Sequence, residues 1–507
     1  MRQMQALTFM TLSLFGPGLA LADAPRFLDR STGLPVQHVY SGGWDHFVGG
    51  GVALLDCDGD SRPDLFVAGG TSEAVLLRNA TGADDTIRFE TVPVPALTAV
   101  TGAYPLDLDG DAITDLMVLR KGPNVLLRGL GACAFEDATD AVTLPAGDSW
   151  STAFTASWET GQTLPTLAIG NYVDTANPDG PFEACDVNHL IRPDGPRYGP
   201  AVALSPGFCT LSALFTDWRR DGTPMLRLSN DRHYYVRGGY EQMWTLDPLR
   251  ELTEADGWDR VQLWGMGIAS RDLTGDGLPE VMLTSMGDQL LMTNDGTGFD
   301  AVPYAMGTTA QRPFVGDDGR PSTGWHAEFG DVDNDGRADL FIAKGNVDQM
   351  PGMAMADPNN LLMQQADGTF AETGDVAGLA STERSRGAGL ADLNGDGRLD
   401  VIVVNRRAPM QVWQNATEGT GHWIALDPRL PAGNRFAIGA FVEVRTPSGV
   451  QTQERTVGGG HVSGSLLPLH FGLGTASEAE VRVIWPGGQI GPWHRLEAGR
   501  THTIAPG

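Results

Sequence analysis

Five short apolar runs recur along the chain, each opened by an acidic residue: DLFVAGG from Asp64, DLMVLRKG from Asp115, EVMLTS from Glu280, DLFIAKGN from Asp339 and DVIVVN from Asp400. Short runs of branched and long apolar residues bounded by polar turns predict buried β-strands; a helix would need a longer segment with a 3.6-residue period. Before each run stands a strand of small, glycine-rich or aromatic residues, as in WGMGIASRD (264–272) or RGAGLAD (386–392). After it come a third segment such as NLLMQQADGTF (360–370) and a fourth such as FAETGDVAGL (370–379). Each unit therefore predicts four short antiparallel strands.

The units are copies of one another. Aligned on the acidic stretch before the apolar strand, they start at residues 56, 107, 272, 331 and 392, and weaker copies that have lost most of their acids start at Ser157 and Asp217. Seven starts spaced 50 to 61 residues apart, with four strands per unit, predict a seven-bladed β-propeller. The seventh unit lacks a fourth strand after QVWQN (411–415), whereas a segment of that type, RFLDRSTGLP (26–35), precedes the first unit. The expectation is a ring closed by pairing the two ends of the repeat region, which removes an exposed sheet edge.

The acids between the first and second strands carry the chemistry. Their consensus is D-x-[DN]-x-D-G-x-x-D, and four copies are complete: Asp56, Asp58, Asp60 and Asp64; Asp107, Asp109, Asp111 and Asp115; Asp331, Asp333, Asp335 and Asp339; Asp392, Asn394, Asp396 and Asp400. Side chains at positions 1, 3 and 5 of a tight turn, a carbonyl near position 7 and a closing acid at position 9 make an all-oxygen shell, which suits Ca²⁺ and excludes the nitrogen and sulfur preferences of zinc and copper. An EF-hand closes with Glu at position 12 between helices; here the closing acid is at 9 and strands flank the loop. Four structural Ca²⁺ ions are expected, with a weaker fifth at Asp272, Thr274, Asp276 and Glu280. The competing reading is that acids and glycine simply make good exposed turns.

Composition narrows the class. A formal net charge of −28 over 507 residues argues against nucleic acid as partner, which requires a basic surface. The first residues read as a signal peptide: one arginine, an apolar stretch from Ala6, and Ala20-Leu21-Ala22 as a small-x-small cleavage site near Ala22. A membrane anchor is the competing reading, but the stretch is short and broken by Gly16-Pro17-Gly18. No later segment is long and apolar enough to span a bilayer, so the mature chain is expected to be secreted or periplasmic. The four cysteines fit that compartment. Cys185 and Cys209 bracket one loop-rich region and are the expected disulfide, while a Cys57 to Cys133 bridge needs a contact that sequence does not supply.

After residue 421 the pattern changes to GNRFAIGAFVEV (433–444), VGGGH (457–461), HFGLG (470–474) and VRVIWPGGQ (481–489). Alternating apolar and polar residues with glycine-rich turns predict a small antiparallel β-domain. The acidic hairpins resemble FG-GAP/VCBS repeats, the calcium-loop repeats of integrin alpha-chain propellers, and this last segment resembles an ASPIC/UnbV domain. Together they are similar to the cartilage acidic protein family and its bacterial relatives. The expected organisation is a signal peptide (1–22), an all-β propeller (23–418) and a C-terminal β-domain (419–507).

If the acidic loops share one face, the starts of the first strands lie on the other. His46, Trp150, Trp264, Trp325, His326 and Arg386 are then expected around a channel mouth, with Asn171, Asn230, Asp231, Asn346, Asn405 and Arg406 at the ends of the second strands. Such groups suit a polar ligand, although a propeller must fill its centre, which favours tryptophans that plug the channel and amides that cap strand ends. No GxSxG, HExxH or P-loop is present. The expected function is an exported calcium-binding adhesion, binding or scaffold module for an extracytoplasmic protein or glycan, more a binder than an enzyme. A propeller hydrolase or lyase at the channel mouth is the alternative, and for His461 and His470 a structural role is expected over ligation or base catalysis.

Overall fold

The computed structural model describes residues 24–82, 85–232, 238–309 and 320–507; the expected signal peptide lies outside them. Among the described residues the repeat region forms seven sheets of four antiparallel strands. The fifth runs Gly265–Arg271, Glu280–Ser285, Leu290–Asn294 and Phe299–Ala301, and the sixth Gly324–Gly330, Asp339–Lys344, Asn360–Gln364 and Phe370–Glu372. The first strands are buried along all or nearly all of their length, as in Val100–Leu106 and Ser385–Ala391, whereas fourth strands such as Phe135–Asp137 face solvent. Each first strand lies against that of the next sheet, and the seventh against the first.

The seventh sheet takes its outer strand from the other end of the chain. Phe27–Asp29 pairs antiparallel with Gln411–Asn415, with Phe27 opposite Asn415. Apolar side chains of the second and third strands fill the spaces between neighbouring sheets; Phe341, Leu361, Val401, Val403 and Trp413 share one such cluster between the sixth and seventh sheets. Both disulfides are formed, Cys57–Cys133 and Cys185–Cys209. The first joins the acidic loop of the first sheet to the outer turn of the second, and that proximity is created only by the ring.

The C-terminal segment folds as two small sheets. His422–Pro428 lies between Leu469–Gly474 and Thr501–Ile504, and Phe441–Thr446 lies between Gly449–Glu454 and Glu478–Ile484. Ile424, Val442, Val444, Phe471 and Val481 form their common core. This unit sits on the acidic-loop face and sends residues 457–466, VGGGHVSGSL, down the axis of the ring. Gly464–Ser465 adds a parallel strand to Val52–Leu55 of the first sheet. Ser463 bridges to Ala103, Gly458 to Leu214 and Gly460 to Ile268, so one ten-residue segment touches the first, second, fourth and fifth sheets by main-chain pairing alone.

That insertion explains the small residues of the first strands. A Cβ on Gly51 would stand 1.8 Å from the Val462 carbonyl oxygen, one on Gly102 2.1 Å from the same oxygen, and one on Gly387 2.3 Å from Ser463 Oγ. Glycine is needed there because another backbone passes where a side chain would go.

Candidate functional site: acidic loops and the filled channel

All four complete acidic loops share one hydrogen-bond scheme. The Asp at position 1 accepts backbone N–H groups from within its own loop: Gly59 and Ser61 donate to Asp56, and Gly110 and Ala112 to Asp107, at 2.8–2.9 Å. The same residue type does this at Asp331 and Asp392. The closing acid at position 9 ties the loop to the sheet. Asp400 Oδ2 accepts from Leu393 N and Oδ1 from Asn415 N, both at 2.8 Å, and Asp64, Asp115 and Asp339 repeat the pair. Each closing oxygen thus spends one lone pair on the backbone and keeps one.

The turn demands a left-handed backbone at two positions rather than one. Position 4 has φ of +79° at Gly59 and +78° at Gly395, and position 6 has +66° at Ser61, +70° at Ala112 and +84° at Gly397. The glycine of the consensus therefore occupies either position, and Ser61 and Ala112 adopt the conformation without it.

The clustered carboxylates are held in an unfavourable state. Burial, followed by repulsion from loop neighbours, pushes Asp64 and Asp115 up to about 7 and Asp392 to about 6. Asp331, Asp339 and Asp400 also lie well above the usual range, with burial the largest cause. Arginines compensate in part: Arg128 Nε lies 2.9 Å from Asp109 Oδ2, Arg337 pairs with Asp335 and Arg398 with Asp396.

The donor set fits a hard cation. In the loops of the first, second and sixth sheets, one oxygen from each of positions 1, 3 and 9 lies within 4.8 Å of the others (Asp56/Asp58/Asp64, Asp107/Asp109/Asp115 and Asp331/Asp333/Asp339). Ca²⁺–oxygen distances of about 2.3–2.6 Å put opposite ligands about 5 Å apart. In the seventh loop, Asn394 is 4% exposed and its Oδ1 has no hydrogen-bond partner among the described residues, which is costly unless something electropositive meets it. The Cys57–Asp64–Cys133 grouping is not a metal set, because both thiols are consumed in the disulfide.

The fifth loop keeps the scheme, with Gly275 and Gly277 donating to Asp272, and Leu273 and Asn294 to Glu280. In the degenerate fourth loop, Arg220 stands at position 4 and its guanidinium reaches Gly277 O and Glu443 of the C-terminal unit, at 3.0 and 2.8 Å. An ion pair between the two parts of the molecule thus forms at this loop, which keeps Asp217 at position 1 but has Arg219 at position 3 and Met225 at position 9.

The structure fills the channel that the sequence left open. His46, Trp150, Trp325, His326 and Arg386 are all 5% exposed or less, and Trp264 alone of the six is half-buried. Arg386 lies 4.0 Å over the Trp325 ring and donates to Phe47 O and Val347 O at 2.9 and 2.6 Å. The His461 ring of the inserted segment packs on Trp325 and its Nε2 accepts from Gly49 N at 3.4 Å, while the His461 main-chain N–H donates to His326 Nδ1 at 3.1 Å. The strand-end groups are internal ties as well. Asn405 donates to Pro409 O, Asn346 to Met350 O and Ala354 O, and Asp231 accepts from Tyr172 OH. These residues build the hub, with only His326 of the expected groups bordering the larger of two cavities and Asp231 the smaller. The missed contributor is VGGGHVSGS, whose run of small residues reads as a turn until seven sheets surround it.

Two cavities border this hub. One of about 710 Å³ lies between the ring and the C-terminal unit and includes His326, Glu328, Arg271 and Arg455 in its wall; the other, about 310 Å³, opens on the opposite face among Trp44, Phe47, Tyr172 and Met350.

The description FG-GAP-like repeat matches residues 56–118, 272–342 and 352–403, and ASPIC and UnbV matches 430–507. The chain carries FG-GAP-like repeats and an ASPIC and UnbV domain. The unmatched interval includes the starts at Ser157 and Asp217, where the acids are lost. Cartilage acidic protein 1 of Mus musculus is 27% identical over 164 residues, 32% of this chain and 25% of that protein; the Xenopus tropicalis protein is 33% identical over 119 residues, 22% of this chain and 18% of its own length. The chain thus matches about a quarter or less of these relatives. Among solved structures, BBS1N in complex with ARL6DN aligns at 9% identity and a TM-score of 0.44, covering 78% of this chain and 99% of that one. The extracellular domain of the putative hybrid two component system BT4673 from B. thetaiotaomicron aligns at 7% identity and a TM-score of 0.43, covering 96% and 60%.

Proposed function

We propose that this chain is a calcium-stabilised, extracytoplasmic binding or scaffold module, whose FG-GAP-like ring presents its loop-free face to a protein or glycan. The observation that carries the cation is the convergence of three carboxylates within 4.8 Å in each of three repeated loops. A bound Ca²⁺ supplies the positive charge that offsets those carboxylates and, by binding only the folded state, stabilises it. The loops themselves hold the ligand oxygens in place through the paired backbone N–H groups. Two disulfides support an oxidising compartment, and no described helix is long and apolar enough to cross a membrane.

The C-terminal unit covers the loop face, so the partner surface is placed on the other. Exposed aromatics support this: Trp44 is 47% and Phe182 65% exposed, and Trp44 packs against Trp150 beside the smaller cavity. Aromatic anchors with a rigid base are typical of binding hot spots. The test has two parts. Titration of chelated protein with Ca²⁺ is expected to show several sites and a raised melting temperature, and no heat with an unmoved melt would remove the cation from the reading. A pull-down from the extracytoplasmic fraction is expected to lose its partner on Trp44→Ala with Phe182→Ala; full retention would remove that face.

One observation favours a hydrolase or lyase, though on the loop side of the ring and not at the opposite channel mouth expected from sequence: His326 Nε2 lies 3.5 Å from Glu328 Oε2, and both line the larger cavity. A glycoside and ester panel turned over by the wild type and not by Glu328→Gln would establish it.

A further inference from the structure

The acidic loops do not all face the same surroundings. Gly59 and Gly395 have nothing within 4 Å of an added Cβ, yet a Cβ on Gly397 would meet Trp423 Nε1 at 1.7 Å. Gly397 is position 6 of the seventh loop, between Asp396 and the closing turn, and its carbonyl oxygen accepts from both Asn334 Nδ2 of the sixth loop and His470 Nε2 of the C-terminal unit, at 2.9 and 3.1 Å. Trp423 stacks on His470 at 6.0 Å. In the sixth loop, the carbonyl oxygens of Asp333 and Asn334 accept from Gly421 N and Gly474 N at 2.9 and 2.8 Å. A Cβ on Gly472 would stand 2.0 Å from Asp331 Oδ2. Loop positions 1, 3, 4 and 6 of these two repeats are therefore in direct contact with the C-terminal unit and with each other.

The first loop is secured differently. Cys57, at position 2 of the first loop, is bonded to Cys133, whose N–H donates to the Cys57 carbonyl at 3.0 Å. Neither the sixth nor the seventh loop contains a cysteine.

Resting on the reading of these loops as cation sites, we propose that the sixth and seventh loops form a coupled pair of divalent-cation sites that clamps the C-terminal unit onto the ring and so holds residues 457–466 in the channel. The conformation that gathers Asp331, Asp333 and Asp339 in the sixth loop, and the matching turn around Asp392 that buries Asn394 in the seventh, present the Asp333, Asn334 and Gly397 carbonyls to Gly421, Gly474 and His470. A cation bound to that conformation favours docking, and by reciprocity docking favours the cation. The two loops are coupled to each other through the Asn334 to Gly397 hydrogen bond. The first loop, secured by the disulfide and with no described residue within 4 Å of a Cβ on Gly59, binds without this linkage.

The experiment uses the full chain with Ca²⁺ alone as the probe, and combines calorimetric titration with hydrogen exchange resolved to peptides. Removing Ca²⁺ from the wild type is expected to speed exchange in 457–466 and 469–474 at least tenfold, and Asp331→Asn with Asp392→Asn to do the same in the presence of Ca²⁺. Asp56→Asn is expected to lose heat from one site and leave exchange in those segments unchanged. Trp423→Ala is expected to weaken two of the sites at least tenfold and not the others. If titration shows Ca²⁺ binding but exchange in 457–466 is the same with and without it, the clamp is refuted and the cation reading stands. If titration shows no binding, both fall. The wild-type comparison with and without Ca²⁺ decides the matter even where a double variant does not fold.

Discussion

At the scale of single residues, position in the acidic loop separates two jobs that the consensus merges. Asp400 is fully buried and each of its carboxylate oxygens accepts a backbone N–H; removing it strands two buried donors at a cost of about 1–3 kcal/mol each. Asp400→Ala is therefore expected to lower the melting temperature even in chelator. Asp58→Asn, at the exposed rim of the first loop, is expected to weaken Ca²⁺ and leave the chelated melt alone. Parallel melts with and without Ca²⁺ read both, and equal behaviour of the two variants in chelator would contradict the division. The glycines separate in the same way. Gly395→Ala meets open space and suffers only the left-handed backbone, about 1 kcal/mol, whereas Gly397→Ala also collides with Trp423. The second variant is expected to be the more destabilised in chemical denaturation.

At the scale of elements, the third strands carry a tie between sheets. Asn415 Nδ2 donates to Leu399 O of its own loop and to Val332 O of the sixth, at 3.1 and 2.8 Å; Asn79 reaches Leu393 O and Asn294 reaches Trp218 O in the same manner, both at 2.8 Å. Asn415→Ala is expected to cost about 1–3 kcal/mol through the carbonyls it leaves unpaired, with Asn415→Asp no better because it cannot donate. Denaturation midpoints measure this. The element pattern was legible in the sequence because apolar runs, acidic loops and their spacing are local and repeated seven times; even the strand at 27–29 could be inferred, since one unit lacked what the N-terminus supplied. The asparagine tie was in view as the shared ending of RN, TN and QN at residues 78–79, 293–294 and 414–415, but its acceptor lies in the neighbouring repeat. The inserted segment 457–466 was not legible, because its partners are spread over most of the ring and no local period records them. That is why Trp325, His326 and Arg386 read as a ligand mouth: their residue types are those of a polar site, and only the long-range contact with His461 closes it.

At the scale of the whole molecule, the hub makes stability depend on pH through His461. Burial, aided by Arg386 and His326, depresses this imidazole from 6.5 to about 3. A base whose folded-state pKa is lowered stabilises fully above its unfolded pKa, and that stability declines as pH falls from 6.5 toward 3, by about 1.4 kcal/mol per pH unit. The buried carboxylates of the loops, with raised pKa values, act in the opposite sense in ion-free protein. The comparison of wild type with His461→Gln isolates the imidazole: the gap between their unfolding free energies is expected to shrink between pH 7 and pH 5, and a constant gap would count against a buried neutral ring.

The pairing of Phe27 with Asn415 and the insertion of residues 457–466 also set an order of events. The outer strand of the last sheet is made first and its partner nearly last, and the axle of the ring is made later still. Contacts this distant in sequence form slowly. A chain that emerges from its N-terminus can build individual sheets as it goes, but it can neither close the circle nor fill it until the final hundred residues are available. Until then it remains an open string of sheets.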